Sequence, residues 1–341
     1  CVIGVNGTPF SFFEFELYIS GFYIDTYQVE EMQKNGCKVA VIGAGPAGIT
    51  MSIILSLRGF SVSLIESKDK IGGVLRFGIP EFRLPKNIID KYDDILHKLG
   101  VKFKPNTFIG STLTIEDMFI DGYDAVFISV GTSRPNRLGM LGETLGNVHY
   151  AIDYLKSPDA YHLGKDVVVV GAGNVAIDAA RMAVRKIGSG KVIILNNRRE
   201  CDMTSNLYET EMAKIDGVKF IHQMQAIKLE EDGVLCANVS AVENNGEIIY
   251  EEDFTNTTKI SADTIIVAIG QGPQAAVISD TKHITQTSSG LFEVDENGHT
   301  AREGVFAAGD IVTGPKTVVD AVAFTKKVAD EIEKYCKRHC V

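Results

Sequence analysis

Two glycine-rich stretches contain the residues of this chain whose types and spacing could do chemistry. Residues 39–49 read VAVIGAGPAGI, and residues 167–178 read VVVVGAGNVAID. In each, glycines follow an apolar run at the spacing that leads a buried strand through a tight turn into a helix. The backbone N–H groups of such a turn bind pyrophosphate. Two such turns in one chain predict two bound dinucleotides and electron transfer between them.

The first turn has a predicted role for each of its glycines. Gly43 permits the tight turn, Gly45 lets the backbone approach a pyrophosphate, and Gly48 lets the helix pack close to the strand. Pro46 suits the first turn of this helix, because the N–H group it lacks would be unpaired there in any case. With Ala47, these residues form the predicted pyrophosphate site.

An acidic residue follows the second strand of this unit. The strand SVSLI, residues 61–65, leads into Glu66, about twenty residues after the glycine turn. A carboxylate at this point can accept hydrogen bonds from both ribose hydroxyls of an adenosine. Strand, loop, helix, strand and acid in this order predict a dinucleotide rather than an ordinary connection.

The stretch GVFAAGDIVTGPKTVVDAV, residues 304–322, is predicted to complete this first site. An apolar strand runs into Gly309 and Asp310, and a helix is predicted from about Thr317. Asp310 could hold a ribityl hydroxyl of a flavin, although an Asp after a Gly is most often a turn or an N-cap. The positive end of the helix would lie near the flavin pyrimidine oxygens.

The second turn differs from the first at its last glycine. Gly171 and Gly173 occupy the phosphate loop, and Ala176 stands where the third glycine would be. Asn174 and Val175 begin a helix predicted to run to Lys186, and they complete the predicted second pyrophosphate site.

The residues after the next strand predict the coenzyme. The strand KVIIL, residues 191–195, leads into a turn with Arg198 and Arg199, where an NAD site would have an acid. Two guanidinium groups suit a 2′-phosphate, because charge-assisted bonds strengthen with ligand charge. This favours NADPH over NADH. The alternative is a solvated basic turn in which Glu200 and Asp202 neutralise the arginines.

The alternation of strands and helices predicts an α/β fold with two Rossmann-like, doubly wound domains. The segments 124–131 and 264–270 resemble each other, and both end in a glycine, Gly131 and Gly270, that lets a cofactor approach. Ala268 is included in the second predicted site.

Composition excludes several classes of protein. The chain has 341 residues and a net charge of −10, which argues against nucleic acid as a general partner. No apolar run is long enough to predict a membrane span, so a cytoplasmic location is expected. None of the six cysteines forms a CxxC pair, and no metal site is predicted, including at Cys336, His339 and Cys340.

The chain resembles the flavoprotein part of the glutamate synthase small (beta) subunit, within the pyridine nucleotide-disulfide oxidoreductase superfamily. Beside the two glycine turns, the resemblance rests on IGGVLRFGIPEFRLPK at 71–86, AIGQGP at 268–273 and the stretch at 304–322. It implies a glutathione-reductase-like architecture in which a nicotinamide domain, 144–270, is inserted into a flavin domain, 37–143 and 271–341.

The resemblance also implies cofactors and further site residues. FAD would occupy the first site and NADP(H) the second. Gly73, Val74, Leu75 and Arg83 would line the flavin, and Arg83 would stabilise the reduced flavin by its charge. Ile109 would touch the adenine through its backbone.

Residues 1–36 look like the remnant of an N-terminal iron–sulfur domain in this family. Cys1 would be its last cysteine ligand, and a four-iron cluster needs four thiolates. Iron–sulfur clusters are therefore expected only in a longer form of the protein.

The family pattern also has a Tyr before the paired arginines, where this chain has Asn197.

The expected function is an FAD-dependent oxidoreductase that takes hydride from NADPH. Electrons would pass to iron–sulfur centres of a missing domain, a partner subunit or a ferredoxin-like protein. No catalytic acid, base or nucleophile is required, because the redox chemistry belongs to the cofactors. The alternatives are a disulfide reductase of the thioredoxin-reductase type, for which a close cysteine pair is missing, and a non-enzymatic redox nucleotide sensor.

Overall fold

The computed structural model describes residues 12–28, 32–110, 113–244, 246–274 and 284–339. Within these residues, every helix is too short or too polar to cross a lipid bilayer.

The helices of the described residues are, in chain order, α1 Phe12–Thr26, α2 Pro46–Leu57, α3 Val74–Phe77, α4 Lys86–Lys98, α5 Ile115–Ile120, α6 Ala151–Lys156, α7 Asn174–Ile187, α8 Leu207–Ile215, α9 Asp310–Thr313 and α10 Val318–His339. The strands are β1 Lys38–Ile42, β2 Ser61–Ile65, β3 Lys102–Lys104, β4 Ala125–Ile128, β5 Arg134–Pro135, β6 Val148–Tyr150, β7 Asp166–Val170, β8 Lys191–Leu195, β9 Lys219–Ile221, β10 Met224–Glu230, β11 Gly233–Asn244, β12 Glu247–Ser261, β13 Thr264–Val267, β14 Gln271–Gly272 and β15 Val305–Ala307.

The first sheet is parallel and has the strand order β15-β4-β1-β2-β3. The chain winds from β1 through β2 to β3 on one side and places β4 and β15 on the other. Strand β1 lies in the middle, and Val39 and Val41 on one face and Ala40 on the other are fully buried. Burial on both faces explains why this strand is a continuous apolar run. The carboxyl ends of β1 and β4 flank the switch point, where ligands bind in doubly wound sheets.

The second sheet repeats this plan with the order β6-β13-β7-β8-β9, again with parallel pairs. Its central strand, β7, is followed by α7 in the same way that β1 is followed by α2. The switch point lies between β7 and β13. The two sheets confirm the predicted α/β fold with two doubly wound units.

The chain crosses between the two units at a pair of short strands. Strand β5 pairs antiparallel with β14, so the outward and return crossings lie side by side. Leu138 and Met140 already pack against the core of the second unit, and Leu229 N donates to Leu141 O at 2.9 Å. The domain bounds at 143 and 271 stay predictions, and these contacts favour a division nearer to residue 136.

A three-stranded antiparallel sheet, β10-β11-β12, belongs to the second unit and was not predicted. Val234, Cys236 and Ile260 pack it against the apolar side chains of β7, β8 and β13. A sequence signal for its hairpin exists, since Asn245-Gly246 separates two apolar-rich segments.

Helix α1 packs on the first unit through few residues. Ile24 and Tyr27 lie against its core, and Asp25 pairs with Lys91 at 2.5 Å. Residues 1–11, with Cys1, lie outside the described residues, so the predicted iron–sulfur remnant stays a prediction.

Candidate functional site

The first glycine turn is closed by backbone contacts that only glycine allows. Gly43 has a φ of +98°, and a Cβ atom placed on it would lie 2.6 Å from Ser129 O. A Cβ atom on Gly48 would lie 1.8 Å from Gly43 O, whereas one on Gly45 would have no described atom within 4 Å. Gly43 and Gly48 therefore fold the turn in the way predicted, and Gly45 leaves its outer face open.

Both glycine turns end in a helix whose N-terminus has no side-chain cap. Gly45 is the N-cap of α2, Gly173 is the N-cap of α7, and no side chain accepts a hydrogen bond there. By contrast, Thr114 caps α5 and Asn206 caps α8. The free N–H groups of α2 and α7, at the positive ends of the helix dipoles, are suited to bind an anion.

A cavity of about 320 Å³ lies beside the first turn. It is bordered by residues from β1 and β2, by the segment 129–133 that follows β4, by the segment 107–109 and by the start of α10. The predicted site residues that line it are Gly43, Gly45, Pro46, Ala47, Glu66, Gly73, Val74, Ile109, Gly131, Gly309, Asp310 and Thr317. The structure thus brings together residues from distant parts of the sequence.

Glu66 is buried at the edge of this cavity and joins two loops. Its Oε2 accepts a hydrogen bond from Ala44 N at 2.7 Å, and its Oε1 accepts from Lys68 N at 3.0 Å and Ser67 Oγ at 2.9 Å. These three hydrogen bonds occupy three of the four lone-pair sites of the carboxylate, so one acceptor site, on Oε2, remains for a ribose hydroxyl.

Asp310 and Thr317, near the other end of the sequence, both line the cavity. Burial raises the pKa of Asp310, while Lys316 N, which donates to it at 3.4 Å, opposes this. Thr317 Oγ1 donates to Asp320 Oδ2 at 2.6 Å and accepts from Asp320 N at 3.2 Å, so Thr317 fixes the start of α10. Thr317 and Val318 then present this helix end to the cavity.

Thr132 is a cavity residue that the sequence analysis missed. It is 8% exposed, lines the cavity, and its Oγ1 has no hydrogen-bond partner among the described residues. A buried hydroxyl without a partner is costly, and a polar ligand in the cavity would satisfy it. Its position directly after Gly131 was the available signal. The open face of Gly45, the acceptors on Glu66 and this hydroxyl together fit a dinucleotide with polar groups along its length.

The motif at 71–86 has mixed placement. Gly73 has a φ of +51°, and a Cβ atom on it would lie 2.8 Å from Gly45 Cα, so the two loops touch. Leu75 packs against the core of the first unit. Leu75 and Arg83 of this motif do not line the cavity, and neither does Gly48 of the first glycine turn.

Arg83 contacts the second unit, which is inserted into the first and is called the inserted unit below. Its Nη1 donates to Asp178 Oδ1 and Oδ2 at 2.8 and 2.6 Å, and its Nε lies 3.0 Å from Glu209 Oε1. Burial opposes the positive charge, but the two carboxylates outweigh it and raise the pKa of Arg83. The structure therefore gives Arg83 two carboxylate partners in the second unit, and the flavin contact that the resemblance implied stays a prediction.

The second glycine turn lies against the end of β13. Gly171 has a φ of +119°, and a Cβ atom on it would lie 2.4 Å from Ala268 O. Gly270 follows with a φ of +101°. Asn174 Oδ1 accepts from Asn206 N at 2.9 Å, which ties the predicted phosphate loop, including Val175, to the segment before α8.

The two arginines after β8 differ in their partners. Arg199 Nε donates to Asp202 Oδ2 at 2.6 Å, and Tyr250 donates to the same oxygen. Bonds to Arg199 and Tyr250 hold the pKa of Asp202 at about 2. Glu200 pairs with Lys214 at 2.7 Å. One of the two predicted acids thus neutralises an arginine, and the other does not.

The positive charge of Arg198 is available to bind an anionic ligand. Its guanidinium carbon lies 5.8 Å from the centre of the Tyr250 ring, and no carboxylate among the described residues pairs with it. Asn196 holds the turn by donating to Arg198 O at 3.0 Å and accepting from Arg198 N at 3.1 Å. Tyr250 supplies an aromatic ring from a distant strand beside the basic turn, where Asn197 replaces the aromatic residue of the family pattern.

Side chains of the types that bind metal ions are dispersed in the described part of the chain. No group of three or more His, Cys, Asp or Glu side chains there is arranged to hold a metal ion. Cys340, named with Cys336 and His339 in the sequence analysis, lies outside the described residues.

Comparison with known proteins supplies the context for this geometry. The family described as pyridine nucleotide-disulphide oxidoreductase matches residues 37–324. The glutamate synthase [NADPH] small chain of Escherichia coli K12 is 31% identical over 88% of this chain and 69% of its own. The NADPH-Fe(3+) oxidoreductase subunit beta of Geobacter sulfurreducens DL-1 / KN400 is 31% identical over 89% of this chain and 50% of its own.

A solved structure with the same fold is Mycobacterium tuberculosis FprA in complex with NADPH. It superposes with a TM-score of 0.77 at 16% identity, over 89% of this chain and 86% of FprA. At that identity the likeness shows the fold alone. Together with the matches of higher identity, it confirms the resemblance and the fold predicted from the sequence.

Proposed function

We propose that this chain binds FAD at its first glycine turn and NADPH at its second. The chain belongs to the pyridine nucleotide-disulphide oxidoreductase family and is an NAD(P)H-dependent oxidoreductase. We propose further that it passes electrons to iron–sulfur centres of another domain or of a partner subunit. The observation that carries the proposal is the cavity at the first turn, bordered by the uncapped start of α2, by Glu66 and by Asp310.

The residues around this cavity have distinct roles in the proposed FAD site. The N–H groups after Gly45 would hold the pyrophosphate, and the free acceptor site of Glu66 would accept a hydrogen bond from one hydroxyl of the adenosine ribose. Asp310 would bind the ribityl chain, and Thr132 Oγ1 would gain the partner it lacks within the described residues. When bound, FAD supplies the acceptor for one hydride from NADPH, which becomes NADP⁺, and releases the two electrons singly.

The second turn supplies the proposed nicotinamide site. The N–H groups at the start of α7 would hold the pyrophosphate of NADPH. Arg198, fixed by Asn196 through its backbone, would bind the 2′-phosphate. Arg199 is held by Asp202, so its contribution would be smaller.

The names of two relatives support onward transfer to a partner. One is the small chain of a glutamate synthase, and the other is the beta subunit of an NADPH-Fe(3+) oxidoreductase. Both names describe one component of a larger enzyme, so we assign this chain the role of electron-input component. Iron–sulfur clusters within the same polypeptide would require a longer form. A cytoplasmic location stays a prediction.

A disulfide reductase is the less favoured function. Such enzymes need a cysteine pair within reach of the flavin. Of the described cysteines, Cys37, Cys236 and Cys336 are buried and Cys201 is exposed, and none of the four lines the cavity. Cys1 and Cys340 lie outside the described residues.

The test is a visible spectrum of the purified protein before and after anaerobic addition of NADPH or NADH. We expect a yellow protein that bleaches within seconds of NADPH addition and more slowly with NADH at equal concentration. A colourless protein that does not take up added FAD would contradict the cofactor assignment. A yellow protein that neither nucleotide bleaches would contradict the function.

A further inference from the structure

Residues 79–85, in the loop between α3 and α4, lie at the contact between the two units. Arg83 extends from this loop between two carboxylates of the inserted unit. Asp178 lies on α7 and Glu209 on α8. One guanidinium therefore joins the flavin-binding unit to two helices of the nicotinamide-binding unit, and one of these helices starts at the second glycine turn.

Phe82 makes a second contact from the same loop. The guanidinium carbons of Arg181 and Arg185, both on α7, lie 4.8 and 4.0 Å from the centre of its ring. Cations above an aromatic face are attracted to it, more strongly where water is excluded. Arg181 also pairs with Glu209 at 2.5 Å and with Asp216 at 2.7 Å, so the surface under the loop is itself held in place.

The pair at the centre of this contact is shielded from solvent. The side chain of Asp178 is 5% exposed, and that of Arg83 is 24% exposed. Removing one partner of a buried pair leaves a charge without compensation. Rotation of the inserted unit away from the loop would separate Arg83 from both carboxylates at once, so these contacts favour one orientation of the two units.

That orientation also shapes the cavity. Ile152 and Lys156, on α6 of the inserted unit, line it together with Phe77 and Gly78 of the first unit. A Cβ atom placed on Gly78 would lie 3.3 Å from Ile152 Cδ1. The inserted unit is therefore docked directly against the motif that precedes the loop 79–85.

We propose that Phe82 and Arg83 are positioning residues, which hold the inserted unit in the orientation required for hydride transfer, and that neither residue binds the flavin. This inference rests on the proposed function, because it concerns transfer between the two proposed sites. Arg83 acts through Asp178 and Glu209, so its loss should slow the transfer more than it weakens the binding of either cofactor, since both glycine turns and Glu66 remain in place. Small displacements of reacting groups cost large factors in rate.

The test compares Arg83→Met with the wild-type protein in three measurements. These are FAD content with NADPH affinity, the rate of flavin bleaching after rapid anaerobic mixing with saturating NADPH, and the distance between nitroxide labels on Ile120→Cys and Lys191→Cys. The labelled sites are exposed and lie on different units. Cys1, Cys201 and Cys340 would be replaced by Ser to prevent labelling elsewhere.

We expect the bleaching rate to fall at least about tenfold, because misplaced reactants lose the advantage of proximity. FAD content and NADPH affinity should change less than about threefold, since the residues proposed to contact each cofactor at the two glycine turns are unchanged. The label distances should spread over a wider range.

Arg58→Met is the matched control. Arg58 also forms two ion pairs, with Asp330 at 2.7 Å and Glu333 at 2.9 Å, but both partners lie within the flavin-binding unit. It should leave the rate and the label distances unchanged. Arg83→Lys keeps the charge and should recover part of the rate. Phe82→Leu provides a second route to the same loss if Arg83→Met does not fold.

Two results would overturn the proposal. One is an unchanged bleaching rate in Arg83→Met and Phe82→Leu. The other is loss of FAD from Arg83→Met with the wild-type distribution of label distances, which would return Arg83 to the flavin site. If NADPH does not bleach the wild-type protein, the proposed function fails, and the label distances still decide whether Arg83 and Phe82 hold the two units together.

Discussion

At the residue scale, the two arginines after β8 have unequal freedom to bind a phosphate. Arg199 is paired with Asp202, whereas Arg198 lies over the Tyr250 ring. Arg198→Ala should therefore raise the KM for NADPH by about 10- to 100-fold, since a charge-assisted hydrogen bond contributes about 1.5–3 kcal/mol. Arg199→Ala should have a smaller effect, because the wild-type guanidinium already has a carboxylate partner. Steady-state kinetics with NADPH and NADH measure both.

The KM for NADH is the internal control for this prediction, since NADH lacks the 2′-phosphate. Arg198→Lys keeps a charge but loses the planar fork, and should recover only part of the affinity. Equal increases in the two KM values, or a larger effect at Arg199, would show that Arg198 does not read the 2′-phosphate.

Asp178 should give the stability of the protein a pH dependence. Burial raises the pKa of its carboxyl to about 6, against the lowering effects of Arg83 and Arg181. Because the folded pKa lies above the unfolded one, the folded state gains from protonation. That gain is complete below about pH 4 and is lost as pH rises through about 6. The free energy of unfolding of the wild type, relative to Asp178→Asn, should fall by about 3 kcal/mol over this range.

Urea unfolding followed by circular dichroism suits this measurement, because the chain contains no tryptophan. The charged groups that act on Asp178 are Arg83, Glu209, Arg181 and Lys86. Asp121→Asn, at an exposed aspartate, controls for the loss of an acid. A constant difference between wild type and Asp178→Asn from pH 4 to pH 7 would refute the assignment.

At the scale of elements, Gly45 and Gly48 separate folding of the first turn from binding. Gly48→Ala puts a methyl group 1.8 Å from Gly43 O, so the helix or the turn must shift. We expect it to destabilise the FAD-free protein by about 1–3 kcal/mol, the usual cost of overpacking. Gly45→Ala meets no described atom within 4 Å, so it should leave stability within about 1 kcal/mol. Its methyl group would nevertheless stand where the pyrophosphate must approach, and FAD affinity should fall at least tenfold, by about 1.4 kcal/mol.

Urea unfolding of the FAD-free variants and FAD titration, read by the change in flavin absorbance, distinguish these effects. A Gly45→Ala protein with unchanged FAD affinity would place the pyrophosphate elsewhere. Ala44→Gly, in the same turn, tests whether any change of residue there has the same result.

The elements that local sequence specifies were predicted closely. Predicted β1 and β7 begin one residue later than the observed strands, and α7 ends one residue beyond its predicted end. Glycine turns and buried apolar runs act within a few residues, so the sequence contains their full signal. The antiparallel sheet β10-β11-β12 was missed, because β12 is mostly exposed and lacks a continuous apolar run.

At the scale of the whole molecule, side chains far apart in sequence find each other, and local pattern predicts this poorly. Arg83 and Asp178 are 95 positions apart, and Arg199 and Tyr250 are 51 apart. The family resemblance identified Arg83 as notable but assigned it to the flavin. Only the packed arrangement of the two units reveals its carboxylate partners. Thr132 was missed although it directly follows the predicted site residue Gly131, because the sequence does not show that its hydroxyl is buried in a cavity without a partner among the described residues.

The placement of the cysteines leads to a prediction about the electron acceptor of the whole protein. Disulfide reduction requires a thiolate close to the flavin, and thiolates need exposure or a positive neighbour. Burial raises the pKa of Cys236 to about 12, and none of the described cysteines lines the cavity. Ferricyanide takes single electrons from flavin, whereas DTNB is a disulfide. We therefore expect NADPH-dependent reduction of ferricyanide to be at least tenfold faster than that of DTNB. This ratio corresponds to a difference of about 1.4 kcal/mol in activation free energy.

Replacing Cys1, Cys201 and Cys340 by Ser makes this comparison decisive. If these thiols exchange with DTNB directly, the replacement lowers DTNB consumption with or without NADPH and leaves ferricyanide reduction unchanged. DTNB turnover that needs NADPH, persists after the replacement and rivals that of ferricyanide would require a thiol pair acting with the flavin. None of the described cysteines lines the cavity, and three of the four are buried, so that result would overturn the assignment of this chain as a donor of single electrons.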